Sequence, residues 1–281
     1  MGETLCKEGS TLNEGDINMI LNQLKRLFKH QNFLILLIYS LGLTFLQYQT
    51  FNRYQYPSDS SVFIRLIGFD YTGYGTVIFI FTFPIIVTLF GAALYQEDVN
   101  RKIILNQQVR SGRKRYYVSQ YLSCFIGGAI AGVLPYLIHS LTFFMIYPMV
   151  VPDPLTSQIY YEYGAIYQLY FNDPWLLWVG YLVIVFLLSG VLACLGLAIS
   201  YFLSVRYLEY LMPFVILFIL TLFFQLFSFF ELSPFFYLDL SNASSITQEG
   251  WMMVVLAFLT LLAASLVLLV VKIRSQATQV D

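Results

Sequence analysis

The side chains of this 281-residue chain that could do chemistry are few, and their spacing excludes most of it. His30 and His139 are the only histidines and lie far apart, so no HExxH zinc pair exists. Cys6, Cys124 and Cys194 form no CxxC or Cys/His cluster, and their spacing implies neither a metal site nor a disulfide framework. A membrane serine protease needs a serine beside a histidine base; only His139 lies in an apolar run, and no GxSxG-like elbow accompanies any serine. No GxxxxGK[ST] loop is present, since Gln107 stands five residues before Gly112 and Arg113 takes the lysine's place. The chain is therefore not expected to bind ATP itself, to hold a cofactor or to act as an enzyme. All 16 acids lie in loops, termini or at the ends of apolar runs, which argues against ion coupling through a buried carboxylate.

What remains is a concentration of charge. Gln96–Tyr121 carries Arg101, Lys102, Arg110, Arg113, Lys114 and Arg115, 6 of the 15 Lys and Arg, against Glu97 and Asp98. A net charge of −1 draws the chain to no nucleic acid, so the information is in where the charge sits.

The elements around that loop are apolar. With 58% hydrophobic and 11% charged residues and a mean hydropathy of +0.70, the chain is far from soluble usage, where about 25% of residues are charged. It reads as an all-α integral membrane protein with six transmembrane helices, about 33–48, 76–95, 119–147, 175–203, 210–230 and 251–271, making a membrane domain over 33–273. Residues 1–32 form a polar leader and an amphipathic interfacial helix, and 274–281 a tail. The leader holds Glu3, Glu8, Glu14 and Asp16 and lacks the order of a cleaved signal, so the first span is expected to remain.

Thr11-Leu-Asn-Glu14 has capping-box spacing, with Asp16 a competing N-cap. Ile17, Ile20, Leu21, Leu24, Leu27 and Phe28 then recur at helical period, with Lys25 and Arg26 off that face. Such a helix is too charged to span and should lie in the membrane interface, as an anchor or as a docking element. Pro84 and Pro135 are expected to bend the second and third spans. Gly128 and Gly132 make a GxxxG pair, either a subunit contact or a chance pattern. His139 is either hydrogen-bonded structure or a proton relay.

Residues 49–75 read as an ordered external loop, and 148–174 as another, whose tyrosines, with Trp175 and Trp178, form an interfacial belt or a cargo-exit surface. The segment 231–250 begins ELSPFF, too apolar for a solvated loop and expected to dip back toward the bilayer, and Asn242 opens a sequon. On this topology 13 of the 15 Lys and Arg face one side and 2 the other, which places both termini in the cytoplasm of a multi-pass membrane protein.

Six spans with both ends inside, a basic amphipathic helix ahead of them and a basic loop after the second resemble the permease subunit of type 2 ABC exporters. The resemblance is closest at Glu97, the Asp98–Val109 segment, the Arg110–Arg115 turn and Tyr116-Tyr117. Asn100, Val109-Arg110 and Gln120 depart from the family's usual Gly, Pro and Lys and mark a divergent bacterial branch.

The resemblance implies a coupling helix in residues 96–118 resting on two copies of a cytoplasmic ATPase, which would hold ATP and Mg. It also implies a second permease copy, identical or paralogous, across the pathway, a re-entrant hairpin at ELSPFF, and residence in the bacterial cell membrane. The coupling residues would be Glu97, Asp98, Arg101, Lys102, Arg110, Arg113, Lys114 and Arg115, aided by Ile20, Leu21, Leu24, Lys25, Arg26 and Phe28 of the interfacial helix. The basic cluster also fits plain positive-inside topology with anionic lipid. The rival expectation is a non-transporting immunity or regulatory membrane protein that binds a peptide through its aromatic external loops.

Overall fold

Long uncharged runs must satisfy their backbone polar groups internally when no water is at hand, and the α-helix does so within one segment. The computed structural model describes residues 14–54, 61–70, 73–153, 165–202, 208–229, 233, 235, 238–240 and 250–277, and among these there is no β-strand. The helices are α1 (Glu14–Leu27), α2 (His30–Tyr54), α3 (Tyr74–Asn100), α4 (Ile104–Ser111), α5 (Arg113–Ile146), α6 (Ala165–Asn172), α7 (Pro174–Ser200), α8 (Leu208–Leu226) and α9 (Gly250–Ala277). A 3₁₀ turn, Val62–Arg65, lies between α2 and α3.

Five helices hold stretches long and apolar enough to cross a membrane: His30–Thr50, Tyr74–Gly91, Arg113–Ile146, Pro174–Ser200 and Val255–Ser275. The run expected as a span over 210–230 is apolar but helical only to Leu226, and Tyr210–Leu226 is shorter than the other five. Both α3 and α5 run on through Pro84 and Pro135. The capping box at Thr11, the tyrosines of 154–164, residues 203–207, most of 231–249 with ELSPFF and Asn242, and the end of the tail lie outside the described residues.

The bundle is built around α7, two thirds of whose span (67%) is buried, whereas α9, at 11%, lies along its edge. Small residues make this possible. A Cβ on Gly128 would stand 2.2 Å from that of Ala193, one on Gly132 2.5 Å from Ser189 Cβ, and one on Gly91 2.4 Å from Ala193 Cβ. The GxxxG pair therefore serves the α5–α7 contact inside the chain. It is not an exposed face for a second subunit, because α7 already occupies it.

Within the stretch 49–75 expected as an ordered external loop, residues 61–70 are non-helical apart from one 3₁₀ turn and are buried throughout. Val62, Phe63, Ile64, Leu66, Ile67 and Phe69 fill the bundle at the end away from the basic loop. Four helices fasten the segment there. Gln47 on α2 donates to Asp70 Oδ2 (3.3 Å) and Arg65 O (3.4 Å) while accepting from Thr76 N (3.2 Å). Thr76 Oγ1 on α3 accepts from Gly68 N (3.2 Å), and His139 Nε2 on α5 accepts from Ile67 N (3.2 Å).

Beyond α5, Pro148 O and Val150 O accept from Val62 N (3.1 Å) and Ser61 Oγ (2.6 Å), and the Arg65 guanidinium lies 3.9 Å above the Tyr147 ring. Tyr181 on α7 closes over Gly68, whose φ of +84° and missing Cβ admit the tyrosine hydroxyl. His139 is thus a structural acceptor. Burying six large apolar side chains is worth about 2 kcal/mol each. Against it stands a cost of about 1–3 kcal/mol each for the partnerless His139 Nδ1, Tyr136 hydroxyl and Trp178 Nε1.

Candidate functional site

At the opposite end the charged residues gather. Helix α3 stops when Lys102 takes a left-handed φ of +55°, which turns the chain sharply and lets Ile103 N bond Asp98 O (3.2 Å). The next eight residues form α4, with no buried residue. Leu105 (74% exposed) and Val109 (85%) stand one turn apart, so one face of α4 offers two apolar side chains to its surroundings. Gly112, at φ +81° and ψ 140°, makes a joint open only to glycine, and α5 begins immediately after it.

Behind α4 the charges pair within the chain. Arg26 Nη2 donates to Asp98 Oδ1 at 2.7 Å and to Glu97 Oε2 at 3.0 Å. The Asp98 side chain is 1% exposed, and its other oxygen accepts from the Tyr116 hydroxyl (2.8 Å). Gln120 Nε2 donates to Tyr116 (3.4 Å), Tyr201 donates to Gln120 Oε1 (3.2 Å), and Lys272 Nζ donates to Tyr201 O (2.8 Å). This line of contacts runs from α1 through α3, α5 and the end of α7 to α9. The rings of Tyr117 and Tyr95 pack on Tyr201 at centroid distances of 5.3 and 4.7 Å. Burial alone would lower the Arg26 pKa, but the hydrogen bond and charge of Asp98, then those of Glu97, carry the balance upward. The guanidinium stays charged, as a clasp between two carboxylates requires.

Helix α1 lies where this clasp holds it. Gln23 Oε1 accepts from Ser123 Oγ (2.8 Å) and Ser119 Oγ (3.3 Å), and a Cβ on Gly127 would meet Leu27 at 2.5 Å. Ser119, Ser123 and Gly127 recur every four residues and form a shallow groove on α5 for α1. Phe28 packs against Phe90, with centroids 6.3 Å apart. The periodic face expected to enter lipid as one unit is divided. Ile17 and Leu21 are exposed, Ile20 and Leu24 half-buried, and Leu27 buried against α5 together with the polar Gln23.

The residues expected to couple to a partner fall into two groups. Arg26, Glu97 and Asp98 are bound to one another, and Arg101 pairs with Glu97 one turn away. Lys102, Arg110, Lys114 and Arg115 are exposed, with Lys25, while Arg113 is half-buried. Sequence reasoning missed Gln23, Tyr201 and Lys272, which no motif marks. Leu105 and Val109 were inside the expected segment but not singled out, although their spacing signals a short amphipathic helix. Among the described residues no three His, Cys, Asp or Glu side chains converge as a metal site. The arrangement is a short exposed helix carried on a charge-paired, hydrogen-bonded base.

Fold and site define an all-α membrane protein with several long apolar helices. Comparison with protein-family models, curated proteins and solved structures found no match.

Proposed function

We propose that the chain is the membrane-spanning permease subunit of an ATP-driven exporter of the type 2 ABC class, with α4 as the helix on which a separate ATPase pushes. The observation that carries this reading is α4 itself, an eight-residue helix with no buried residue, which rests on the bundle through Ile104 and Gln108 and turns Leu105 and Val109 outward. Its exposed Leu105 and Val109, flanked by Lys102, Arg110 and Lys114, fit an apolar groove edged with acids. Because Arg26, Arg101 and Tyr116 already engage Glu97 and Asp98, the charge left to face a partner is positive.

In this reading Tyr210–Leu226 is the fifth of six spans, crossing where the bilayer thins. Helix α1 lies in the inner interface with Ile17 and Leu21 toward acyl chains and Lys25 toward headgroups. Both termini are cytoplasmic, in a bacterial cell membrane, and the pathway forms between this chain and a second permease copy above two ATPase subunits that hold ATP and Mg. The peptide-binding alternative draws less support: Tyr170 is buried against Phe69, and Tyr167 and Phe171 are packed on the core, so these aromatics turn inward.

The test is Leu105→Asp with Val109→Asp in the full chain, co-expressed with a P-loop ATPase from an adjacent reading frame. Losing two central apolar contacts should lower co-purification and stimulated turnover about tenfold or more. Its unfolding midpoint should match the parent's, since both side chains are exposed. Full co-purification and turnover in the folded variant would refute the docking role.

A further inference from the structure

We infer that residues 61–70 are a fixed seal over the far half of the bundle, closed to water both at rest and while any partner ATPase turns over. The segment occupies the space on which α2, α3, α5 and α7 converge, and each helix contributes a named contact: Gln47, Thr76, His139 and Tyr181. Asp70, the acid of the segment, is buried with Gln47 on one of its oxygens. A further tie comes from beyond α8, where Leu240 N donates to Gly68 O (2.7 Å); next to it Leu238 O accepts from the Tyr181 hydroxyl (2.7 Å) and holds that ring over the segment.

Buried polar atoms around the segment without partners among the described residues, His139 Nδ1, the Tyr136 hydroxyl and Trp178 Nε1, favour hydration and hence opening. Six buried apolar side chains oppose it and prevail. A loop so held does not flicker open; it behaves as part of the core. The sealing is independent of the exporter reading.

Thiol accessibility separates the two. In a Cys6→Ser background, the full chain in lipid nanodiscs is given one cysteine at a time: Leu66→Cys in the seal, Val185→Cys in the centre of α7, and Asp153→Cys on the exposed connection after α5. A charged maleimide is the probe. Leu66→Cys is expected to react as slowly as Val185→Cys and roughly a thousandfold or more slower than Asp153→Cys, with or without an ATPase turning over. Ile64→Cys replaces Leu66→Cys if that variant does not fold. Reaction at Leu66 or Ile64 running ahead of Val185, at rest or during turnover, would overturn the seal while leaving the α4 docking result untouched.

Discussion

Replacing Arg26 by Met keeps much of the side chain's length while removing the cation that clasps Glu97 and Asp98. The two carboxylates are not equivalent. The Asp98 side chain is 1% exposed and lies 2.7 Å from Arg26, whereas that of Glu97 is 30% exposed, 3.0 Å away, and retains Arg101. Stranding one partner of a buried pair costs about 3–5 kcal/mol, and half-exposed pairs are worth about 0–1 kcal/mol. Because Arg26 is itself 24% exposed and Asp98 keeps the Tyr116 hydroxyl, Arg26→Met should cost about 2–3 kcal/mol, nearly all of it through Asp98.

A double-mutant cycle of Arg26→Met with Asp98→Asn, followed by denaturant unfolding in mixed micelles, should give a coupling energy of about 2 kcal/mol. The same cycle with Glu97→Gln should give less than about 1 kcal/mol. Hydrogen exchange along α1 should rise in Arg26→Met before that of α7. Additive effects of Arg26→Met and Asp98→Asn, or equal coupling to both acids, would refute the clasp as the element that holds α1.

Two further outcomes follow from local geometry. Gly128→Val and Gly132→Val should abolish recovery of monodisperse protein, because their new atoms meet Ala193 and Ser189 across the α5–α7 contact. Gly42→Ala, where nothing lies within 4 Å, should leave it unchanged or raise stability by about 0.5–1 kcal/mol. At the joints of α4, Gly112→Ala should cost about 1–3 kcal/mol through its positive φ, although a Cβ there meets nothing, and Lys102→Gly should be neutral or stabilising. Unfolding midpoints measure both, and an indifferent Gly112→Ala would mean that α4 reaches the same place by another backbone path.

The class of protein and the positions of its helices were legible because they depend on neighbours in the chain. A run such as Trp175–Leu203 is apolar for its whole length whatever it packs against, whereas the short helix between the second and third spans was expected only from the family resemblance. Charge counting likewise needs only the order of loops and spans.

Partnership does not follow from such counts. Nothing in periodicity tells Arg26 that it will meet an aspartate 72 positions later, nor turns coupling candidates such as Glu97 and Asp98 into the inner half of a clasp. Gly128 and Gly132 permit a close approach, and only the path of α7 determines whose backbone approaches. Residues 61–70 show the division most plainly. Composition makes them apolar and their flanks make them a loop, yet it took four helices closing around them to bury every side chain, because burial belongs to the surroundings a residue acquires and only its preference is written in the chain.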